Sequence, residues 1–132
     1  MILVDTCVWV DHLRAGDDEL KTLLRRGQVL CHPLVIGELA CGNLANRTEI
    51  LDLLSGLPEA SQADQDEALL ALERHRLMGR GLGYVDVLLL VSALLTPDTQ
   101  LWTRDRRLAT AATELGIGWK TMPTIHDVRH QR

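Results

Sequence analysis

Four carboxylates lie within or directly beside apolar segments of this chain, where an unpaired charge is costly. They are Asp5, Glu38, Asp86 and Asp105. A carboxylate taken out of water is normally paired with a cation or bound to a metal. The chain has only two lysines, and no arginine adjoins the first three acids. A shared divalent cation explains all four most simply, and it indicates metal-dependent phosphoryl chemistry.

The ions that suit such a site are Mg²⁺ or Mn²⁺, because both prefer oxygen ligands. A bound ion of this kind lowers the pKa of a water molecule and stabilises charge that develops on phosphate oxygens. Thr6 follows Asp5, and Thr103 precedes Asp105 by two positions. Their hydroxyls could orient a carboxylate or a water beside the metal, or could be ordinary cap and strand-end hydroxyls.

Each acid taken alone also has a purely structural explanation. Asp5 and Asp105 could be helix N-caps, and Asp86 could lie exposed in the first turn of its helix. Glu38 could lie on a solvent-facing stripe. Four such accidents at one edge of a sheet are much less expected, so together the acids favour a functional site.

Hydrophobic periodicity predicts strands that alternate with helices, which is typical of an α/β fold with a mostly parallel sheet. The predicted strands are 2–5, 28–32, 59–62, 100–103 and 118–122. The predicted helices are 8–14, 17–27, 33–42, 46–54, 64–78, 84–95 and 106–115. Asp5 and Asp105 then follow strands at the sheet edge where such folds bind ligands, and Glu38 and Asp86 lie near the starts of helices that reach it.

Length and composition restrict the class of protein. A chain of 132 residues fits a single domain, 1–132, and it has no membrane-length apolar run. No basic, apolar leader pattern is visible, so we expect no secretory signal. Three cysteines without Cys-x-x-Cys spacing indicate free thiols in a reducing cytoplasm. The net charge of −4 counts against a plain nucleic-acid-binding module, unless bound metal neutralises some of the acids.

Other phosphoryl-transfer arrangements fit poorly. A phosphatase of the Asp-x-Asp type needs an acid two residues after Asp5, where this chain has Cys7. No histidine is placed to activate that thiol, so we interpret it as a buried cysteine. A receiver domain needs a lysine after a late strand, and although Lys120 is late, the rest of that pattern does not follow.

The order of the acidic motifs resembles the PIN-domain ribonucleases, and within them the VapC-type toxins of bacterial toxin–antitoxin pairs. The resemblance covers nearly the whole chain. It rests on Asp5-Thr6, Gly37-Glu38-Leu39, Tyr84-Val85-Asp86 and Thr103-Arg104-Asp105-Arg106-Arg107-Leu108.

The resemblance implies a three-layer α/β/α sandwich with a central parallel sheet, and Mg²⁺- or Mn²⁺-dependent endonucleolytic cleavage of RNA. By position, Asp5, Glu38 and Asp86 match the metal-binding acids of the family. Asp105 matches a fourth, more variable acid, and Thr103 matches the Ser/Thr two residues before it.

The resemblance also implies two protein partners, a second copy of the chain in a homodimer and a cognate VapB-type antitoxin. An antitoxin arginine often enters the acidic pocket of such toxins, which is physically reasonable because a guanidinium fork complements carboxylates and competes with metal.

The leading hypothesis is therefore a toxin that cleaves RNA with a metal-activated water. The arginines expected to hold RNA phosphates are Arg80, Arg104, Arg106 and Arg107. The alternative is a non-catalytic PIN-like scaffold that binds a protein partner through its acidic groove.

Overall fold

A parallel sheet of three short strands runs through the computed structural model, which describes residues 1–121. The strands are β1 (Ile2–Val4), β2 (Val29–Leu30) and β3 (Gln100–Trp102). β1 is central, and the order across the sheet is β2-β1-β3. Single parallel bridges extend the sheet at both sides, from Cys31 to Glu59 and from Leu101 to Gly118. From β1 the chain moves to β2 on one side, and it later crosses to β3 on the other side. The point where the strand order switches therefore lies between β1 and β3, and α/β folds bind ligands at such a point.

Seven helices accompany the sheet in residues 1–121. They are α1 (Thr6–Ala15), α2 (Asp18–Arg25), α3 (Pro33–Cys41), α4 (Arg47–Ser55), α5 (Gln65–Arg74), α6 (Tyr84–Leu95) and α7 (Arg106–Glu114). Right-handed crossovers between parallel strands put α1 to α4 on one face and α5 to α7 on the other. The helix contacts agree, because α3 packs on α1 and α4 whereas α6 packs on α5 and α7. The arrangement agrees with the predicted α/β/α sandwich.

The core is built from strand residues that are apolar on both faces, as expected for a parallel sheet covered by helices. Leu3 and Val4 of β1 are completely buried, and Leu101 and Trp102 of β3 are nearly so. The apolar helix α6 adds Leu89 and other buried residues beside β3. Each fully buried leucine contributes roughly 1.5–3 kcal/mol relative to an exposed one. This rigid centre fixes the positions at which the strands end.

The order of elements and the α/β class agree with the prediction, and α6 has the predicted limits. α5 ends at Arg74 and not at 78, because Arg76 takes a left-handed φ of 51°. The Leu77 amide then donates to the Leu72 carbonyl at 3.0 Å, which closes the helix end. α1 begins at Thr6, two residues earlier than predicted, because Asp5 caps it.

Two predicted outer strands are reduced to single bridges in the described residues. The segment 59–62 bridges Cys31 only at Glu59, because its following amides turn toward α6: Ser61 donates to Thr96 Oγ1 at 2.9 Å, and Ala63 donates to Ser92 Oγ at 3.0 Å. The segment predicted at 118–122 bridges Leu101 at Gly118, and its last residue lies outside the described residues.

None of the helices in the described part of the chain is both long and apolar enough to cross a bilayer. The cysteines Cys7, Cys31 and Cys41 are free thiols.

His32 lies after β2, and its two ring nitrogens contact the start of α3 and a serine of α6. Nδ1 accepts the Leu34 amide at 3.1 Å and so caps α3. The neutral ring therefore carries its proton on Nε2, which donates to Ser92 Oγ at 3.1 Å. Burial lowers the pKa of His32, and the charge of Glu59 opposes this only in part. A proton on Nδ1 would remove the cap.

We expect the protein to lose stability as the pH falls below about 6.5, because the unfolded chain then binds a proton at His32 that the folded chain resists. The loss begins at the unfolded pKa and continues toward the lowered folded pKa. Urea unfolding at about pH 7.5 and about pH 5.5 measures it, and His32→Asn, which retains a capping side chain, should lose less stability between these values. An equal loss in both proteins would contradict this role of His32.

Candidate active site

Asp5 lies where β1 ends and α1 begins, and it is the most buried of the four acids, with 6% of its surface exposed. Its amide donates to the Trp102 carbonyl at 2.9 Å, so its backbone still pairs with β3. Oδ1 accepts the Thr6 amide at 2.7 Å and caps α1. Oδ2 accepts the Thr103 hydroxyl, also at 2.7 Å. The orientation of this carboxylate is therefore fixed by the first residue of α1 and by the residue that follows β3.

Thr103 couples Asp5 to Asp105 at the carboxyl end of β3. Its hydroxyl oxygen donates to Asp5 and accepts the Asp105 amide at 3.1 Å. Asp105 Oδ1 caps α7, accepting the amides of Arg107 at 2.9 Å and Leu108 at 3.2 Å. Asp105 Oδ2 has no hydrogen bond within residues 1–121. Thr103 thus holds the two carboxylates in one network, as its predicted orienting role requires.

Thr6 connects the same network to Glu38. The Thr6 hydroxyl donates to Glu38 Oε1 at 2.7 Å, which joins the first residue of α1 to the middle of α3. Glu38 is exposed and lines a groove of about 560 Å³ beside Val10, Arg14 and Leu39. Its position matches the solvent-facing stripe considered above, and its second oxygen, Oε2, makes no hydrogen bond in the described residues.

Asp86 is the third residue of α6, and its Oδ2 accepts the Gly83 amide at 3.0 Å. Burial raises the pKa of Asp86, the Gly83 hydrogen bond opposes the rise, and the charges of Asp5 and Asp105 raise it further. Carboxylates affect one another in this way only at short range. Asp5, Asp86 and Asp105 therefore share one region of negative charge.

Burial is less uniform than the sequence suggested. Asp5 is buried and Asp86 is half-buried, whereas Glu38 and Asp105 are exposed. Within residues 1–121, no three histidine, cysteine or acidic side chains form a ready-made cluster for a metal ion. Mg²⁺ is usually held by one or two carboxylates and keeps several waters, so binding does not require such a cluster.

Within residues 1–121, the four acids form no ion pair with a cation. Every ion pair among residues 1–121 involves other carboxylates: Asp11, Asp17, Asp18 and Glu114. The donor set is therefore all-oxygen and uncompensated, and Glu38, Asp86 and Asp105 each keep one oxygen without a hydrogen bond in the described residues. Hard divalent cations suit such a set.

The arginines predicted to contact RNA differ in their surroundings. Arg104 pairs with Asp11 and Asp17, and Arg80 pairs with Glu114 at 2.8 Å. Arg107 lies against Gly81, where a Cβ would come within 2.5 Å of Nη1. Arg106 is exposed and forms no ion pair with another described residue. Within residues 1–121, none of these four arginines forms an ion pair with the four acids.

The sequence predicted Cys7 as a buried cysteine, but it did not predict two sets of contacts beside the acids. Cys7 is half-buried, lies 3.5 Å from Asp5 Oδ2 through Sγ and accepts the Arg104 amide at 3.3 Å. Burial raises the pKa of this thiol, which keeps it protonated. The second set is the pairing of Arg104 with Asp11 and Asp17. Only the position of Cys7, two residues after Asp5, was a signal in the sequence.

Known proteins resemble this chain over most of its length. The family model for the PIN domain matches residues 2–114. The chain is 50% identical over 117 residues to the protein named Ribonuclease VapC32 of Mycobacterium tuberculosis, both in strain CDC 1551 / Oshkosh and in strain ATCC 25618 / H37Rv. The aligned region covers 89% of this chain and 94% of that relative.

In metal-free protein, Asp5→Asn is expected to lower the pKa of Asp86, because it removes one of the two negative charges that raise it. Asparagine still accepts the Thr6 amide and so retains the cap. A pH titration of the Asp86 carboxyl carbon by NMR measures the change. Asp52→Asn, an exposed substitution on α4, serves as the control. An Asp86 pKa that is unchanged by Asp5→Asn would contradict the shared region of charge.

Proposed function

Because this chain belongs to the PIN-domain family, we propose that it is a metal-dependent endoribonuclease and the toxin of a toxin–antitoxin pair. One observation carries the proposal: the charges of Asp5 and Asp105 raise the pKa of Asp86 at the carboxyl edge of the sheet, and no cation of residues 1–121 forms an ion pair with these acids. RNA as the substrate is supported by the relative named a ribonuclease, which is 50% identical over 94% of its length.

The predicted resemblance to VapC-type PIN proteins is confirmed by that relative and by the family match. The motifs that carry the resemblance, from Asp5-Thr6 to Thr103–Leu108, all lie within the matched residues 2–114. The α/β fold with its parallel sheet agrees with the family.

The residues that would hold Mg²⁺ or Mn²⁺ are Asp5, Glu38, Asp86 and Asp105. A bound divalent ion would supply an activated water and stabilise charge on the phosphate oxygens. The oxygens without hydrogen bonds among the described residues are Glu38 Oε2, Asp86 Oδ1 and Asp105 Oδ2, so these atoms are available without breaking the network. Thr6 and Thr103 would maintain the orientation of the acids while one oxygen of each acid is engaged.

RNA would approach the edge where α1, α6 and α7 begin. The dipoles at these helix N-termini attract phosphate, although the capping acids already accept several of the amides there. Among the predicted RNA contacts, Arg106 is exposed and forms no ion pair with another described residue, and Arg107 lies one residue further along α7. Arg80 would have to leave Glu114 to reach a phosphate.

We expect two protein partners, an antitoxin and a second copy of the chain, to bind at the acids or at exposed apolar surface. A guanidinium supplied by a VapB-type antitoxin would find carboxylates that no internal cation of the described residues occupies. Exposed leucines at Leu53, Leu69 and Leu70 offer apolar area to a second copy in a homodimer or to the antitoxin. We also propose that residues 1–132 form a single PIN-like domain that works in the cytoplasm.

The alternative, a non-catalytic scaffold that binds a partner through its acidic groove, is favoured by one observation. No ready-made cluster of three metal ligands exists in residues 1–121. Such a scaffold would bind a cationic partner segment at Glu38 and Asp86 without cleaving RNA in the presence of metal.

Purified protein is expected to cut RNA from a mixed pool when Mg²⁺ or Mn²⁺ is added, and to stop when EDTA removes the metal. Asp86→Asn should lower the cleavage rate by about 100-fold or more, because loss of metal binding removes several kcal/mol of transition-state stabilisation. Asparagine still accepts the Gly83 amide, so the helix start is kept. Asp52→Asn should cleave at the wild-type rate.

Wild-type protein that is folded, free of any bound inhibitor and inactive on RNA with either metal would contradict the nuclease and favour the scaffold. Equal cleavage by Asp86→Asn and wild type would contradict the assignment of the site.

A further inference from the structure

Arg104 lies between Thr103 and Asp105, yet its guanidinium contacts carboxylates outside the candidate site. Nη1 pairs with Asp11 Oδ2 on α1, and Nη2 pairs with Asp17 Oδ2 at 2.7 Å. A guanidinium presents its donors in a fixed fork, so binding two separate carboxylates sets its orientation.

The carboxylates that receive Arg104 are themselves held in place. Asp17 caps α2, because its Oδ1 accepts the Leu20 amide at 2.9 Å. The Asp17 amide donates to His12 Nδ1 at 3.0 Å, which fixes the turn between α1 and α2. Asp11 belongs to α1 itself. Arg104 therefore binds one carboxylate on α1 and one at the start of α2, on the two sides of the turn between these helices.

The backbone around Arg104 is attached along the same helix. Thr103 Oγ1 donates to Asp5 Oδ2 just before α1, and the Arg104 amide donates to Cys7 Sγ in its first turn. The guanidinium then reaches Asp11 one turn further and Asp17 beyond the helix end. The loop between β3 and α7 thus lies along α1, with Arg104 making its outermost contacts.

Stability is a minor consequence of these contacts. The Arg104 side chain is 39% exposed, and exposed ion pairs contribute little to folding. The larger consequence is for the positions of the candidate site residues. The loop carries Thr103, which orients Asp5, and Asp105, which shares the region of negative charge with Asp5 and Asp86. A displacement of catalytic groups by about 1 Å can lower a rate by about 100-fold.

We propose that Arg104 is a positioning residue, which clamps the loop between β3 and α7 onto Asp11 and Asp17 and so holds Thr103 and Asp105 in place beside Asp5. This inference rests on the proposed nuclease function. It replaces the role in RNA contact that the sequence suggested for Arg104.

The test compares Arg104→Lys, Arg104→Gln and the double variant Asp11→Asn/Asp17→Asn. Lysine keeps the positive charge but cannot bridge two carboxylates, and asparagine at 17 keeps the cap of α2. Arg25→Gln, an exposed arginine of α2 without an ion pair in residues 1–121, controls for loss of one positive charge. Asp52→Asn controls for loss of one negative charge.

The clamp predicts that all three test variants lower kcat at saturating metal by about tenfold or more, with little change in KM for RNA. A variant that lacks Arg104 and both aspartates should lose no more kcat than the Arg104 variant or the aspartate variant alone. Arg104 and the aspartates affect the loop only through their contact with each other. If Arg104 instead binds RNA, Arg104→Gln alone raises KM, and the lysine and the aspartate variants cleave normally. That pattern overturns the clamp.

A second measurement does not depend on cleavage. Hydrogen exchange of the Arg104 and Asp105 amides, in protein without RNA, should become about threefold faster or more in Arg104→Lys and in Asp11→Asn/Asp17→Asn, and stay unchanged in the controls. Unchanged exchange in the test variants overturns the clamp whatever the cleavage data show. If wild-type protein cleaves no RNA, the proposed function fails, and the exchange rates still decide whether Arg104 holds the loop.

Discussion

Negative charge at the carboxyl ends of β1 and β3, which forms no ion pair with a cation in residues 1–121, is the constraint on which the rest of this structure depends. Asp5 is buried there, and Asp5 and Asp105 both raise the pKa of Asp86. Like charges at short range oppose folding, so other parts of the molecule must offset their repulsion. The apolar strands beneath them and the helix α6 supply that stabilisation, because they bury leucines on both faces of the sheet.

The acids also offset part of the free energy that their burial and repulsion cost, because they accept hydrogen bonds from backbone amides. Asp5 and Asp105 cap α1 and α7, and Asp86 accepts the Gly83 amide at the start of α6. Carboxylates at helix N-termini are stabilised by free amides and by the helix dipole. The structural and the functional interpretations are therefore compatible for Asp86 and Asp105, since in each one oxygen serves the fold and the other makes no hydrogen bond within residues 1–121. Both oxygens of Asp5 are engaged, by the Thr6 amide and the Thr103 hydroxyl. For the same reason, substitution by asparagine separates the charge from the fold.

Much of the fold was predictable because local patterns determine it. The apolar run from Tyr84 to Leu95 gave the limits of α6, and the acids that follow β1 and β3 indicated the edge of the sheet where the candidate site lies. The predicted strand at 59–62 was wrong, because side chains of α6 take up the amides of Ser61 and Ala63. Periodicity within a segment contains no information about such competing partners.

Contacts between distant segments were beyond the reach of the sequence. Arg104 is separated from Asp11 by 93 positions and from Asp17 by 87, and nothing near any of them signals the pairing. An arginine beside an acidic motif in a nucleic-acid enzyme suggests a phosphate contact, and only the three-dimensional arrangement shows two carboxylates around it. The degree of burial was likewise misjudged for Glu38, which lies in an apolar sequence but on an exposed side of α3.

Anomalous X-ray scattering from crystals grown with Mn²⁺ tests the metal site most directly. We predict a Mn²⁺ peak beside the carboxylates of Asp5 and Asp86, with Asp105 or Glu38 contributing directly or through water, and no peak there in Asp86→Asn. A well-ordered wild-type crystal with no Mn²⁺ among these carboxylates, or with Mn²⁺ bound only elsewhere, would contradict a metal-dependent mechanism at this edge of the sheet.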